Sequence, residues 1–84
     1  HSVLILDLSE VPMIDSSASF ALEEVIRNAG VKGRHALLVG VRPAVRTILA
    51  SLGVLDLFPA GHVHRERESA IRHAAILLNL DQAT

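Results

Sequence analysis

Apolar residues arrive along this chain mostly in short unbroken runs and in helical stripes. Val3-Leu4-Ile5-Leu6 is β-branched and aliphatic without alternation, the pattern of a strand buried on both faces. Asp7-Leu8 continues it, and Ser9, Glu10 and Pro12 break it. After Met13-Ile14, the triplet Asp15-Ser16-Ser17 supplies three successive N-cap candidates. Ala18, Ala21, Leu22, Val25, Ile26 and Ala29 then recur at helical spacing, with Glu23, Glu24, Arg27 and Asn28 turned outward. Gly30 stands where a glycine would end that helix.

The pattern then repeats. Ala36-Leu37-Leu38-Val39-Gly40-Val41 predicts a second buried strand, and Pro43 suits the first turn of a helix lined by Val45, Ile48, Leu49 and Leu52. Gly53 stops it. Leu55, Leu57 and Phe58 form an apolar cluster before Pro59 and Gly61, His62-Val63-His64 predicts a short third strand, and Glu66 to Leu80 a last helix. Ala70, Ile71, Ala74, Ala75 and Leu78 share one side of it. The order is β-α-β-α-β-α, an α/β fold with a mostly parallel sheet. Three strands read as covered on both faces still leave one edge of the sheet open unless upstream strands complete it.

Composition narrows the function. The chain has 84 residues, enough for a single domain spanning 1–84, and half are apolar, so it is not disordered. A net charge of −1 recruits neither nucleic acid nor an anionic membrane surface. Phe20 and Phe58 are the only aromatic residues among Phe, Trp and Tyr, which removes a stacking platform for single strands. There is no cysteine, hence no disulfide, thiolate site or Cys nucleophile. The longest apolar run, Ala74 to Leu78, is far shorter than a membrane span. A start of His1-Ser2 without Met leads to the expectation that the natural protein extends upstream.

Candidate chemistry concentrates at the junction Asp15-Ser16-Ser17, beyond the carboxyl end of a buried strand, where open α/β sheets carry functional groups. A phosphate on Ser16 would face free backbone N–H groups and the positive end of a helix dipole, and would add nearly two negative charges beside Asp15. The same residues also account for themselves as ordinary caps. Phe20 lies off the apolar stripe beside Glu23, Glu24 and Arg27. It suits a partner-binding patch, or else packs beneath a loop or an N-terminal strand. His62 and His64 share a strand face without a nearby third ligand, so no metal site is expected, and the histidines read as surface residues at a strand end. Arg65, Arg67 and Arg72, interleaved with Glu66 and Glu68, read as a solvated helix start. Asp7, Glu10 and Asp15 come near one sheet end without forming a defined cation site. Gly30-Val31-Lys32-Gly33 lacks the ending of a phosphate-binding loop, no Gly-x-Ser-x-Gly elbow occurs, and no cofactor is implied. A small phosphoryl- or nucleotide-handling enzyme using Asp7, Asp15 and Ser16 is the weakest reading; no catalytic residue is assigned.

The run from Val3 through Asp7-Leu8-Ser9-Glu10-Val11-Pro12-Met13-Ile14 to Asp15-Ser16-Ser17 resembles the signature of the STAS domain, named for sulphate transporters and anti-sigma factor antagonists. The resemblance continues through Ala21-Leu22-Glu23-Glu24, Gly40-Val41-Arg42-Pro43-Ala44-Val45, Leu52-Gly53-Val54-Leu55 and Ser69-Ala70-Ile71. It implies a sheet flanked by helices, with N-terminal strands and a first helix that this chain lacks. In the soluble antagonists the first serine after the aspartate is phosphorylated by an anti-sigma kinase, and Ser16 matches it, with Asp15 and Ser17 at the flanking positions. The chain departs at Ala18, where antagonists usually carry Gly. The alanine, the Ala-Leu-Glu-Glu helix and the Gly-Val-Arg-Pro loop are more similar to the cytoplasmic C-terminal domain of SulP-type anion permeases. There the domain implies regulation and protein contacts rather than conduction. The expected partners are the transporter's own transmembrane domain or a cytosolic regulatory protein, with an anti-sigma kinase as the alternative and a second copy also open. The expected location is the cytoplasmic face of the membrane; the alternative is soluble cytoplasm.

Overall fold

Val3–Asp7 extends as β1, and the chain then alternates helix and strand: α1 (Ser16–Val31), β2 (His35–Val39), α2 (Pro43–Ser51), a 3-10 turn (Leu55–Leu57), β3 (Val63–His64) and α3 (Arg67–Ala83). The computed structural model describes residues 2–83. The strands form one parallel sheet in the order β1-β2-β3, with Val3 opposite His35, Asp7 opposite Val39 and Val39 opposite His64. This is the α/β arrangement that the runs and stripes predict.

The two faces of the sheet carry different helices. Leu4, Leu6, Ala36 and Leu38 face a core made by Ile26 and Ala29 of α1, Val45 and Leu49 of α2, and Val54 and Phe58. Leu37 and Val39, with Val3, face a thinner seam against Ala70, Ala74 and Leu77 of α3. The central strand matches the expectation of burial on both faces, since Ala36 through Val39 are all buried. β1 departs from it. As an edge strand it is only half buried, and Ile5 is 36% exposed.

Local chemistry explains the boundaries and two further departures. The stripe on α1 is rotated from the expected one: Ser19, Ile26 and Ala29 are buried and Leu22 half-buried, while Ala18, Ala21 and Val25 are exposed. Alanines satisfy a helical period without contributing enough surface to orient the helix; Leu22 and Ile26 do so instead. The helix also runs past Gly30. The Gly33 N–H bonds the Gly30 carbonyl and the Arg34 N–H the Ala29 carbonyl, and Gly33 takes the left-handed position at φ +71°. That is a Schellman ending, and α2 closes the same way, with Gly53 N–H to Ala50 and Val54 N–H to Leu49. On α3 the inner face is Ala70, His73, Ala74 and Leu77, while Ile71, Ala75 and Leu78 are exposed.

Candidate functional site

The Asp15 junction is held by three hydrogen bonds to one residue. Asp15 is extended (φ −98°, ψ 177°), and its Oδ1 accepts from the Ala18 amide at 2.7 Å. Its carbonyl accepts both from the Ser19 amide at 3.0 Å and from Ser19 Oγ at 2.9 Å. Ser19 is therefore a fully buried hydroxyl with a satisfied partner, and it locks the cap to the inner side of α1. Sequence reasoning missed it; the signal was a small polar residue four positions after an N-cap. Ser16 and Ser17 open α1 and are both exposed.

One turn further, Ser17, Phe20, Glu23 and Glu24 line one shallow hollow of about 540 Å³ together with Ala21 and Arg27. Phe20 is 58% exposed, so among the described residues it packs beneath neither a loop nor a strand. Arg27 binds Glu23 across one turn, Nε donating to Oε1 at 3.0 Å. Asp15 and Ser16 do not line the hollow; they lie at the helix start beside it.

The loop leading into this junction is tied from two sides. Arg42 Nε donates to the Ser9 carbonyl at 2.8 Å, and Gly40 (φ +67°) passes so close that an added Cβ would lie 2.8 Å from Ser9 Cβ. Asp7 is fully committed. Its Oδ1 accepts from the Ser9 amide at 2.9 Å and its Oδ2 from Arg67 at 2.7 Å through Nη2. The Ser9 side chain, then Arg67, then the Ser9 amide hold the Asp7 carboxyl well below the usual carboxylate range. Arg67 thus bridges α3 to β1 instead of belonging only to a solvated helix start. Among the described residues no group of three His, Asp or Glu is arranged to hold a metal ion.

Two features were not legible beforehand. A cleft of about 780 Å³ opens beyond β2 and β3, lined by Gly40, Val41, Pro43, Arg46, Val63, His64 and Arg65. And the histidines are not surface residues: His62 is buried, while His35, His64 and His73 are half-buried on the α3 side of the sheet.

The family profile described as the STAS domain matches residues 1–70. The chain belongs to the STAS domain family. Over 77 residues this STAS domain is 32% identical to the bicarbonate transporter BicA of Synechocystis sp., a match covering 92% of this chain and 14% of that protein. It is 33% identical over 73 residues to the bicarbonate transporter BicA of Picosynechococcus sp., covering 87% of this chain and 13% of that one. The chain thus spans about one-seventh of these curated relatives. Among solved structures, a sulfate transporter family protein from Wolinella succinogenes superposes with a TM-score of 0.86 at 27% identity, covering 93% of this chain and 64% of that one. A candidate anti-sigma factor antagonist from Thermotoga maritima gives a TM-score of 0.75 at 18% identity, covering 84% and 58%. That second likeness speaks for the fold alone.

Proposed function

We propose that this STAS domain is a non-catalytic regulatory and protein-interaction module of a SulP-type transporter of sulphate, bicarbonate or another anion, held at the cytoplasmic face of the membrane. The observation that carries the reading is the match along nine-tenths of the chain to bicarbonate transporters, in which it corresponds to a small fraction of the whole. Recognition runs through the Asp15–Ser17 junction and the hollow formed by Phe20, Glu23 and Glu24. An exposed ring beside two carboxylates suits a partner that brings an apolar side chain and a basic group. Ser16 is the candidate phospho-acceptor. Its modification would add about two negative charges at that rim, opposing an acidic partner and favouring a basic one. Strands preceding Val3 would complete the sheet along the free edge of β1, where Ile5 is partly exposed.

Fractionation of the source cells, with an antibody to this domain following the intact parent, tests the reading. A large species in the membrane pellet supports it. A small soluble species overturns it in favour of an anti-sigma factor antagonist working by partner switching. Ser16→Asp and Ser16→Ala variants, compared for capture of the parent's partner, then test the switch; equal binding by both removes Ser16 from the mechanism.

A further inference from the structure

The four histidines among the described residues form a continuous ring contact under α3. His35 and His62 lie 6.2 Å apart between ring centroids, His62 and His73 4.9 Å with edge-on rings, and His64 and His73 5.1 Å. Parallel register brings residues 35, 62 and 64 to one side of the sheet, and α3 lowers His73 onto them. His62 is anchored separately, its Nδ1 donating to the Ala36 carbonyl at 3.1 Å.

Proton counting distinguishes the remaining pair. Ser69 Oγ donates to the Glu66 carbonyl at 3.0 Å, so it can only accept at the 3.1 Å contact with His64 Nδ1. That places a proton on His64 Nδ1. The 2.9 Å contact between His64 Nε2 and His73 Nδ1 requires one more proton. Two neutral imidazoles carry the two protons that these two contacts need. A single imidazolium also leaves the contact intact, its N–H donating to the bare nitrogen of the neutral partner. A second imidazolium would set N–H against N–H across 2.9 Å and put two like charges side by side.

We propose that His64 and His73 form a pH-operated clasp between β3 and α3, closed while at most one of the two rings is an imidazolium and opened when both are protonated. The surroundings are built to resist that second proton. Burial, and then the charges of His62, His64 and His35, hold the His73 imidazole below its ordinary value, with the Gly61 carbonyl acting the other way. On α3 itself Ser69 lies one turn before His73, and Arg72 adjoins it in the chain. The unfolded imidazole takes its proton near pH 6.5, and folded His73 does so only at lower pH. The clasp's contribution is therefore complete above pH 6.5 and is lost as pH falls through the folded value. Among the described residues α3 is otherwise fastened by Ala70, Ala74 and the half-buried Leu77 against the sheet, and by Arg67 to Asp7 at its start.

Histidine ring ¹⁵N spectra and amide hydrogen exchange of the 84-residue chain, followed from pH 8 to 4.5, decide the matter. The expected result is two protonation steps for the pair separated by at least about one pH unit. Across the lower step, α3 amides lose protection about tenfold more than α1 amides, as a one-unit difference implies. His64→Gln and, separately, His73→Gln each abolish the two-step behaviour and the α3-specific loss. Overlapping titration of both rings in one step, or equal loss of protection in α1 and α3, overturns the clasp. The titration of the unsubstituted chain is decisive even where a variant folds poorly.

Discussion

Gly40→Ala is the sharpest perturbation the fold allows, because one methyl group meets backbone that has nowhere to go. The new Cβ would lie 2.8 Å from Ser9 Cβ and 3.3 Å from Ser9 Cα. Ser9 is fenced in: the Leu8 amide bonds the Val39 carbonyl at 3.0 Å, the Val11 amide bonds the Leu8 carbonyl at 3.0 Å, and Arg42 grips the Ser9 carbonyl at 2.8 Å. Two terms add. A left-handed alanine costs about 1–2 kcal/mol, and overpacking against a fixed neighbour costs about 1–3 kcal/mol, so about 2–5 kcal/mol is expected in all. Gly33→Ala is the control. Its φ of +71° matches the +67° of Gly40, but nothing lies within 4 Å of its added Cβ, so it should lose only the first term. Urea and thermal unfolding followed by circular dichroism measure both. Gly40→Ala should melt at least about 4 °C below Gly33→Ala, since about 1 kcal/mol shifts a domain of this size by about 4–8 °C. Equal losses would falsify the close-approach argument, and with it the claim that Gly40 sets the path of the loop into the Asp15 junction.

Three further outcomes follow from the same geometry. Asp15→Ala removes the side-chain acceptor of the Ala18 amide and should cost about 1 kcal/mol in chemical denaturation, whereas Asp15→Asn should recover most of it. Phe20→Ala should leave stability within about 0.5 kcal/mol, because the ring is exposed, while weakening capture of the partner by roughly tenfold, the scale of a truncated interface anchor; unchanged capture removes the ring from the interface. The Asp7 carboxyl has a lowered value in the folded chain, so its contribution is present above the unfolded value of 3.8 and disappears only as pH falls below it. Acid titration of Asp7→Asn should lack that strongly acidic component; retention of it would mean that the Ser9 and Arg67 contacts are not its source.

The order of elements and most of their ends were legible because their causes are local. An unbroken aliphatic run such as Leu37-Leu38-Val39 favours a buried strand, Asp15 caps the helix that follows it, Pro43 starts the next, and Gly53 ends it. The end of α1 was misplaced by three residues because Gly30 and Gly33 both satisfy the composition of a helix stop, and only the hydrogen bonds of the Arg34 and Gly33 amides choose between them. The candidate junction was equally visible. Asp15, Ser16 and Ser17 are adjacent in sequence, and Phe20, Glu23 and Glu24 follow within two turns of the same helix.

What lay beyond the sequence was whatever depends on distant segments meeting. Residues 7 and 67 are sixty positions apart, so the Asp7–Arg67 bridge exists only because α3 starts beside the end of β1. The rotation of α1 was hidden because Ala18 and Ala21 fit the period as well as Leu22 and Ile26 do, and the sheet selects the larger side chains. Ser19 joins them inside because the Asp15 carbonyl satisfies its hydroxyl. The histidines make the same point most clearly. Their alternation at 62 and 64 was readable, but His35 reaches them through the parallel register of β2 with β3, and His73 through the turn of α3 that buries Ala70 and Ala74. Local periodicity assigns each residue a face of its own element; packing between elements decides which faces meet, and so whether four dispersed imidazoles become one contiguous cluster.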